Sequence, residues 1–156
     1  MLELIKTYTK SCIMAEQRIK YLTVKLNELK RNGGEDTEEY TDQTMQQLAE
    51  EMIREKALKL LRDEVPHGIL VEVERMKRRK TMKGEPIYNI EATIYCIRES
   101  HKGIIIGKDG EMLKRISTYA RQDLEKMLNT KINLKVWVKV KEDWINKDSI
   151  VNKFKM

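Results

Sequence analysis

The sequence predicts an α+β fold in which three strands, each apolar on one face, are covered by a layer of helices. Hydrophobic residues recur at helical spacing over residues 2–31 and 42–62. They alternate with polar residues over 69–74, 90–96 and 131–141, as half-buried strands require. A three-stranded sheet with one apolar face needs helices against that face, which makes a two-layer sandwich.

The first element is the most regular. Ile5, Tyr8, Cys12, Ala15, Ile19, Leu22, Leu26 and Leu29 are spaced 3, 4, 3, 4, 3, 4, 3, an unbroken heptad seam that Asn32-Gly33-Gly34 ends. Such a stripe either packs on the rest of the chain or joins two copies, so residues 1–34 are expected to be a helical extension and a possible coiled coil. Residues 35–41, EDTEEYT, read as an acidic linker. A second helix is expected from Asp42 to Arg62, with Thr44 and Gln47 as a capping box and Met45, Leu48, Met52, Ile53, Ala57, Leu60 and Leu61 as its apolar face. Val65-Pro66-His67-Gly68 should stop it, and His67 is expected to help end the helix. A strand follows at 69–74, and RMKRRKTMKGEP, 75–86, reads as a loop or hairpin tip. Ile90, Ala92, Ile94 and Cys96 mark one face of a second strand. Helical stretches at 100–106 and 110–128 then flank Gly107-Lys108-Asp109-Gly110, and KINLKVWVKVK, 131–141, is the cleanest strand, with its lysines and Trp137 facing out.

Composition narrows the function classes. The 156 residues are 40% hydrophobic and 36% charged, with a net charge of +6. That is enough apolar material for one modest core under a solvated surface. The charge is uneven: residues 65–156 carry 20 Lys and Arg against 12 Asp and Glu, whereas 35–64 carry 4 against 10. A polyanion-binding surface is therefore expected in the C-terminal block. Cys12 and Cys96 have no CxxC spacing, which argues against structural zinc and for a reducing compartment. No apolar run is long enough for a membrane span or a signal peptide, so a cytoplasmic protein is expected. Paired carboxylates, a nucleophile–base set and a metal cluster are not apparent; neither an enzyme nor a cofactor is expected.

The stretch GIIIGKDGEMLKRI, 103–116, has the glycines and lysine of a phosphate loop, but not its spacing. A Walker A loop needs G-x-x-x-x-G-K-[ST]; here three residues separate Gly103 from Gly107, and Asp109 follows Lys108. No G-x-G-x-x-G can be written through it either. What remains is G-x-x-G between two helices, after two strands and before a third. Paired glycines let a nucleic-acid backbone approach, and the following helix offers free N–H groups to phosphate. This is the arrangement of the KH module, whose GXXG loop clamps a four-nucleotide backbone.

On the stretches IREKALKLLRDEVPHG (53–68), VEVERM (71–76), IEATIYCIRES (90–100), KGIIIGKDGEMLKRI (102–116) and VWVKVKEDW (136–144), residues 42–144 resemble the C-terminal region of the Era family of bacterial GTPases, a type II KH domain. The resemblance covers about two-thirds of the chain and implies a KH domain over 42–145 with a C-terminal tail at 146–156. It also implies binding to single-stranded RNA near the 3′ end of small-subunit ribosomal RNA, in ribosome assembly, so ribosomal RNA or the small subunit is the expected partner. The family's GTPase domain has no counterpart here: there is no P-loop and no D-x-x-G, and Asn146-Lys147-Asp148 is followed by Ser149 instead of the acid of N-K-x-D.

The candidate RNA-binding residues follow from this reading. Gly107 and Gly110 allow backbone approach and Lys108 contacts phosphate. Ile104, Ile105 and Ile106 are candidates to line a base groove; two alternately exposed faces put one of them there and leave the others for the core. Asp109 works against a phosphate; at ~6 Å and an effective ε of ~20 the repulsion is about 3 kcal/mol before screening. It is expected to turn away and serve the next helix as an N-cap. Arg75, Lys77, Arg78, Arg79, Lys80 and Lys83 place six cations in nine residues without an acid, an electrostatic arm along phosphates. Lys114, Arg115 and Arg121 would add phosphate contacts, and His101 lies close enough to the loop to touch RNA. A second reading keeps the KH fold as a scaffold and has the heptad helix act as an assembly module, joining copies through residues 1–31.

Overall fold

The computed structural model describes residues 2–32, 37–61 and 69–141, with side chains described over 13–31, 41–61 and 69–141. The elements run α1 (Leu2–Asn32), α2 (Thr37–Leu61), β1 (Leu70–Lys80), β2 (Pro86–Cys96), α3 (Glu99–Ile106), a single 3-10 turn (Lys108–Gly110), α4 (Glu111–Leu128) and β3 (Lys131–Val140). The strands form one mixed sheet in the order β1-β2-β3, with β1 antiparallel and β3 parallel to β2. The predicted α+β sandwich is the architecture found.

One face of the sheet makes the core. Ile90, Ala92, Ile94 and Cys96 of β2 and Ile132 and Val138 of β3 are buried with Ile105 of α3 and Ile116, Ala120, Leu124 and Leu128 of α4. The buried positions of α4 recur every four residues, so a single stripe of that helix faces the sheet. α2 packs on β1 and α4 with one side and on α1 with the other.

That last contact settles the fate of the heptad seam over its described half. Ala15, Ile19, Leu22 and Leu26 are buried against α2, whose Met45, Leu48, Ala49 and Met52 are equally inaccessible. Burying Ile19, Leu22 and Leu26 contributes on the order of 5 kcal/mol. Ion pairs flank the seam, Arg18 Nε to Glu51 Oε1 at 3.3 Å and Lys59 Nζ to Glu16 Oε1 at 3.0 Å. Side chains of Ile5, Tyr8 and Cys12 lie outside the described residues, as do 62–68 and the tail from 142.

Three local expectations need correction. Thr37 to Thr41, read as linker, already belong to α2. Thr44 therefore lies inside the helix, buried at 3% exposure, and is no N-terminal cap. Nor is 75–86 a loop, since β1 runs to Lys80 and β2 starts at Pro86. The reason is a bulge. Val71 and Val73 face the core, yet the next apolar residue is Met76, three positions on, so simple alternation fails. The register shifts between Val73 and Arg75, which brings Met76 opposite Ile90. Only 81–85 turn, closed by Thr81 N donating to Glu85 O at 2.8 Å and Gly84 N to Thr81 O at 2.8 Å.

Glu74, the residue inside the bulge, accepts from Thr93 Oγ1 at 2.9 Å and Tyr95 Oη at 3.0 Å. These hydroxyls hold its carboxyl below the usual range, while burial, then Glu74, pushes the Tyr95 phenol up to about 12. Cys96 is buried, and burial raises its thiol.

Candidate nucleic-acid interface

The loop between α3 and α4 is a sequence of unusual backbone conformations. Gly107 N donates to Gly103 O at 2.9 Å and closes α3. Gly107 itself adopts φ 75°, ψ 178°, a region essentially confined to glycine. A Cβ built there would lie 2.6 Å from Met112 Cβ and 2.9 Å from its nitrogen, so glycine is required for packing alone. Asp109 (φ 56°, ψ 24°) and Gly110 (φ 77°, ψ 10°) are both left-handed. Asp tolerates that conformation better than most side chains, which explains an acid at a place where charge is unwelcome.

Gly110 differs from Gly107 in one respect: a Cβ there would meet nothing within 4 Å. Its outer side is open. Gly110 is also the N-cap of α4, with no side-chain hydrogen bond, so the expectation that Asp109 caps the helix is wrong. The N–H of Glu111 donates back to Lys108 O, and no side chain caps this positive dipole end of an 18-residue helix beside the open backbone.

Next to the loop lies a depression of about 330 Å³ lined by Ile104, Gly107, Lys108, Glu111, Met112 and Arg115. Ile104 and Met112 supply an apolar floor, Lys108 and Arg115 two cations on the rim, and Glu111 one acid. An apolar floor under cationic rims suits a base beneath its phosphates. Across α3 and α4, β3 offers partly buried Leu134, Val136 and Val140.

The predicted residues divide into those brought together and those set apart. Ile104, Gly107, Lys108 and Arg115 meet at the depression, with exposed Asp109 and open Gly110 beside it. Ile106 is half-buried against the core. Ile105 is completely buried, so it has no surface for a base and the expectation for it fails. Lys114 is exposed on α4 but does not line the depression. Arg121 pairs with Glu125 at 2.9 Å. Arg78, Arg79 and Lys80 lie at the far end of the sheet. They pair with Tyr88, Ile87 and Pro86, and Ile87 is opposite Lys131, the first residue of β3. β3 begins where α4 ends, whereas the glycine loop is where α4 begins; α4 spans about 27 Å. His101 is half-buried, and its buried Nδ1 has no hydrogen-bond partner among the described residues.

Sequence reasoning missed Glu111 and Met112. The signal was present, because Lys108, Glu111, Met112 and Arg115 stand at i, i+3, i+4 and i+7, one face of a helix. Among the described residues there is no group of three His, Cys, Asp or Glu able to hold a metal ion, and no helix long and apolar enough to cross a membrane.

Comparison with known proteins adds the family context. GTPase Era of Clostridium kluyveri is 59% identical over 111 residues, covering 71% of this chain and 36% of the relative. GTPase Era of Clostridioides difficile is 53% identical over 114 residues, 73% of this chain and 37% of the relative. The chain thus spans little more than a third of the length of these curated relatives. Among solved structures, Aquifex aeolicus Era bound to GDP and aluminium fluoride superimposes with a TM-score of 0.63 at 40% identity, covering 70% of this chain and 36% of that one. Era in complex with MgGDPNP and nucleotides 1506–1542 of 16S ribosomal RNA gives 0.64 at 40% identity, with the same coverage. The profile of the KH domain family matches residues 64–145, from the segment before β1 to the segment after β3. With the glycine loop seated between α3 and α4 and that profile spanning the whole sheet, the chain belongs to the KH domain family.

Proposed function

We propose that this chain is a non-catalytic RNA-binding protein of the cytoplasm that takes single-stranded RNA at the Gly107–Gly110 loop. The RNA is the 3′ region of small-subunit ribosomal RNA, and the setting is assembly of the small ribosomal subunit. The observation that carries the reading is the open backbone at Gly110, at the positive end of α4 and next to the depression between Ile104 and Arg115. The 40% identity to a protein whose structure holds 16S ribosomal RNA supports the choice of RNA. On this reading, residues 42–145 are the RNA-binding unit, Lys108 and Arg115 hold phosphates, and Ile104 and Met112 lie under a base.

Titration with single-stranded RNA at two salt concentrations tests it. Counterion release makes affinity fall steeply as salt rises. Affinity independent of salt, or no binding at all, would overturn the reading. GTP should not bind at micromolar concentration, because the glycine loop has the wrong spacing and lacks its hydroxyl.

A further inference from the structure

The face of the sheet turned away from the helices carries an independent concentration of charge. Register places Arg75, Glu91 and Lys135 in one row across the three strands. Lys77, Asn89 and Asn133 form the next row, and Arg79, Ile87 and Lys131 the last. These three rows hold five exposed cations against one acid, Glu91. The next row, Glu72, Thr93 and Trp137, brings a second acid, and Glu74, which accepts from Thr93 and Tyr95 and pairs with Lys139, a third. The five cations stand in two tracks about 10 Å apart, on β1 and β3; Lys131 and Lys135 on β3 are about 13 Å apart, whereas the cations of β1 recur about every 6.7 Å. That repeat is close to the spacing of phosphates along an extended single strand. Trp137 stands next to Lys135 on the same face of β3, 46% exposed.

Edge strands often carry lysines to discourage pairing with other sheets, and that accounts for charge on β1 and β3. It does not account for five cations gathered in the three rows nearest the 81–85 turn, nor for an indole left half in water on an edge strand. An exposed aromatic beside a cationic track is instead how single-stranded nucleic acid is held without sequence preference, by base stacking and phosphate neutralisation. Lys131 and Lys135 come from a strand distant in sequence from the basic run of β1, so the surface exists only in the folded sheet.

We infer that this outer sheet face is a second contact surface for single-stranded RNA, with Arg75, Lys77, Lys131 and Lys135 on phosphates and Trp137 stacked on a base. It rests on the RNA-binding reading above, and extends it from the loop to a strand that continues around β3.

The test uses the full chain and two single-stranded RNAs, one of ~6 nucleotides, little more than a KH loop clamps. The other extends it to ~20, beyond the 4–16 that one such platform covers. The triple variant Lys77→Glu, Lys131→Glu, Lys135→Glu should bind the short RNA as the parent does and the long RNA at least ~10-fold more weakly. Its salt dependence on the long RNA should be shallower by about 2 in log–log slope, from ~0.7 per lost phosphate contact. Trp137→Ala should cost about 5-fold or more on the long RNA alone. Unchanged long-RNA affinity in a folded triple variant overturns the inference while leaving the loop reading intact; failure of the parent to bind either RNA removes both. The Gln triple variant, which removes charge without reversing it, decides the matter if the Glu variant does not fold. Loss of binding to anionic vesicles with long-RNA binding retained would assign the face to a membrane surface and also overturn the inference.

Discussion

Two helical hairpins in this chain have opposite designs. In α1–α2 the seam residues Ala15, Ile19, Leu22 and Leu26 are closed off against Met45, Leu48 and Met52, and ion pairs bridge the margins. In α3–α4 the connection is held in left-handed conformations, lacks a side-chain cap and leaves a depression open beside it. The first hairpin spends its apolar face on itself, and the second spends its backbone polarity outward. The difference separates residues that stabilise from residues available to a ligand, and experiment can pull the two apart.

The largest effect is expected in the closed hairpin. Leu22→Ala removes a side chain with 1% exposure and should cost about 3 kcal/mol in urea denaturation, with RNA affinity unchanged in the folded fraction. If the variant stays as stable as the parent, α1 is not packed on α2 as described. Gly107→Ala comes next, at about 2 kcal/mol, because Cβ would strike Met112 and the backbone conformation is strained. A glycine of the open hairpin would then behave like a core residue, and the measurement is again the urea midpoint.

Lys108→Asp should do the reverse: no change in the unfolding midpoint, and RNA binding at least ~10-fold weaker, about 1.4 kcal/mol. Equal affinity with an unchanged circular dichroism spectrum would remove the loop from the binding site.

The smallest effect concerns Glu51, whose carboxyl is pushed above its ordinary value by burial, with Arg54 and Arg18 opposing, and whose Oε2 has no hydrogen-bond partner among the described residues. The native state then binds this proton more tightly than the unfolded one. The stability that Glu51 contributes is fully present below the ordinary carboxylate value of 4.5 and is lost as pH rises through the raised value. Glu51→Gln should flatten that part of the pH profile and leave stability at neutral pH within about 0.5 kcal/mol of the parent, since Arg18 is half exposed and its pairing is worth little. A loss of several kcal/mol would mean that the Arg18–Glu51 pair holds the hairpin together.

Much of the fold was legible because it rests on local periodicity. Ile132, Leu134, Val136, Val138 and Val140 alternate without interruption, and β3 was found to within one residue of its end. β1 was cut short at Glu74 because its alternation slips there, and only pairing with Ile90 of β2 shows that Met76 belongs to the same face. The site was legible in part for the same reason. Gly107 and Gly110 are visible as punctuation between helices, but Ile104 and Ile105 are adjacent and equivalent in sequence, and one lines the depression while the other is sealed in the core.

Residue type and spacing alone therefore determined the order of elements, the heptad seam, the glycine loop and the absence of a phosphate-loop motif, since each depends on neighbours within a few positions. The tertiary structure decided what those features face. It turned the described half of the seam toward α2, made Gly107 a packing requirement and Gly110 an opening, and put Arg78 to Lys80, expected as an arm along phosphates, at the far end of α4 from the glycine loop. It also aligned Arg75 and Lys77 with Lys131 and Lys135, residues more than fifty positions apart. Periodicity carries no information on distance between faces, and charge acts through space; only the register of three strands fixes which cations share a surface.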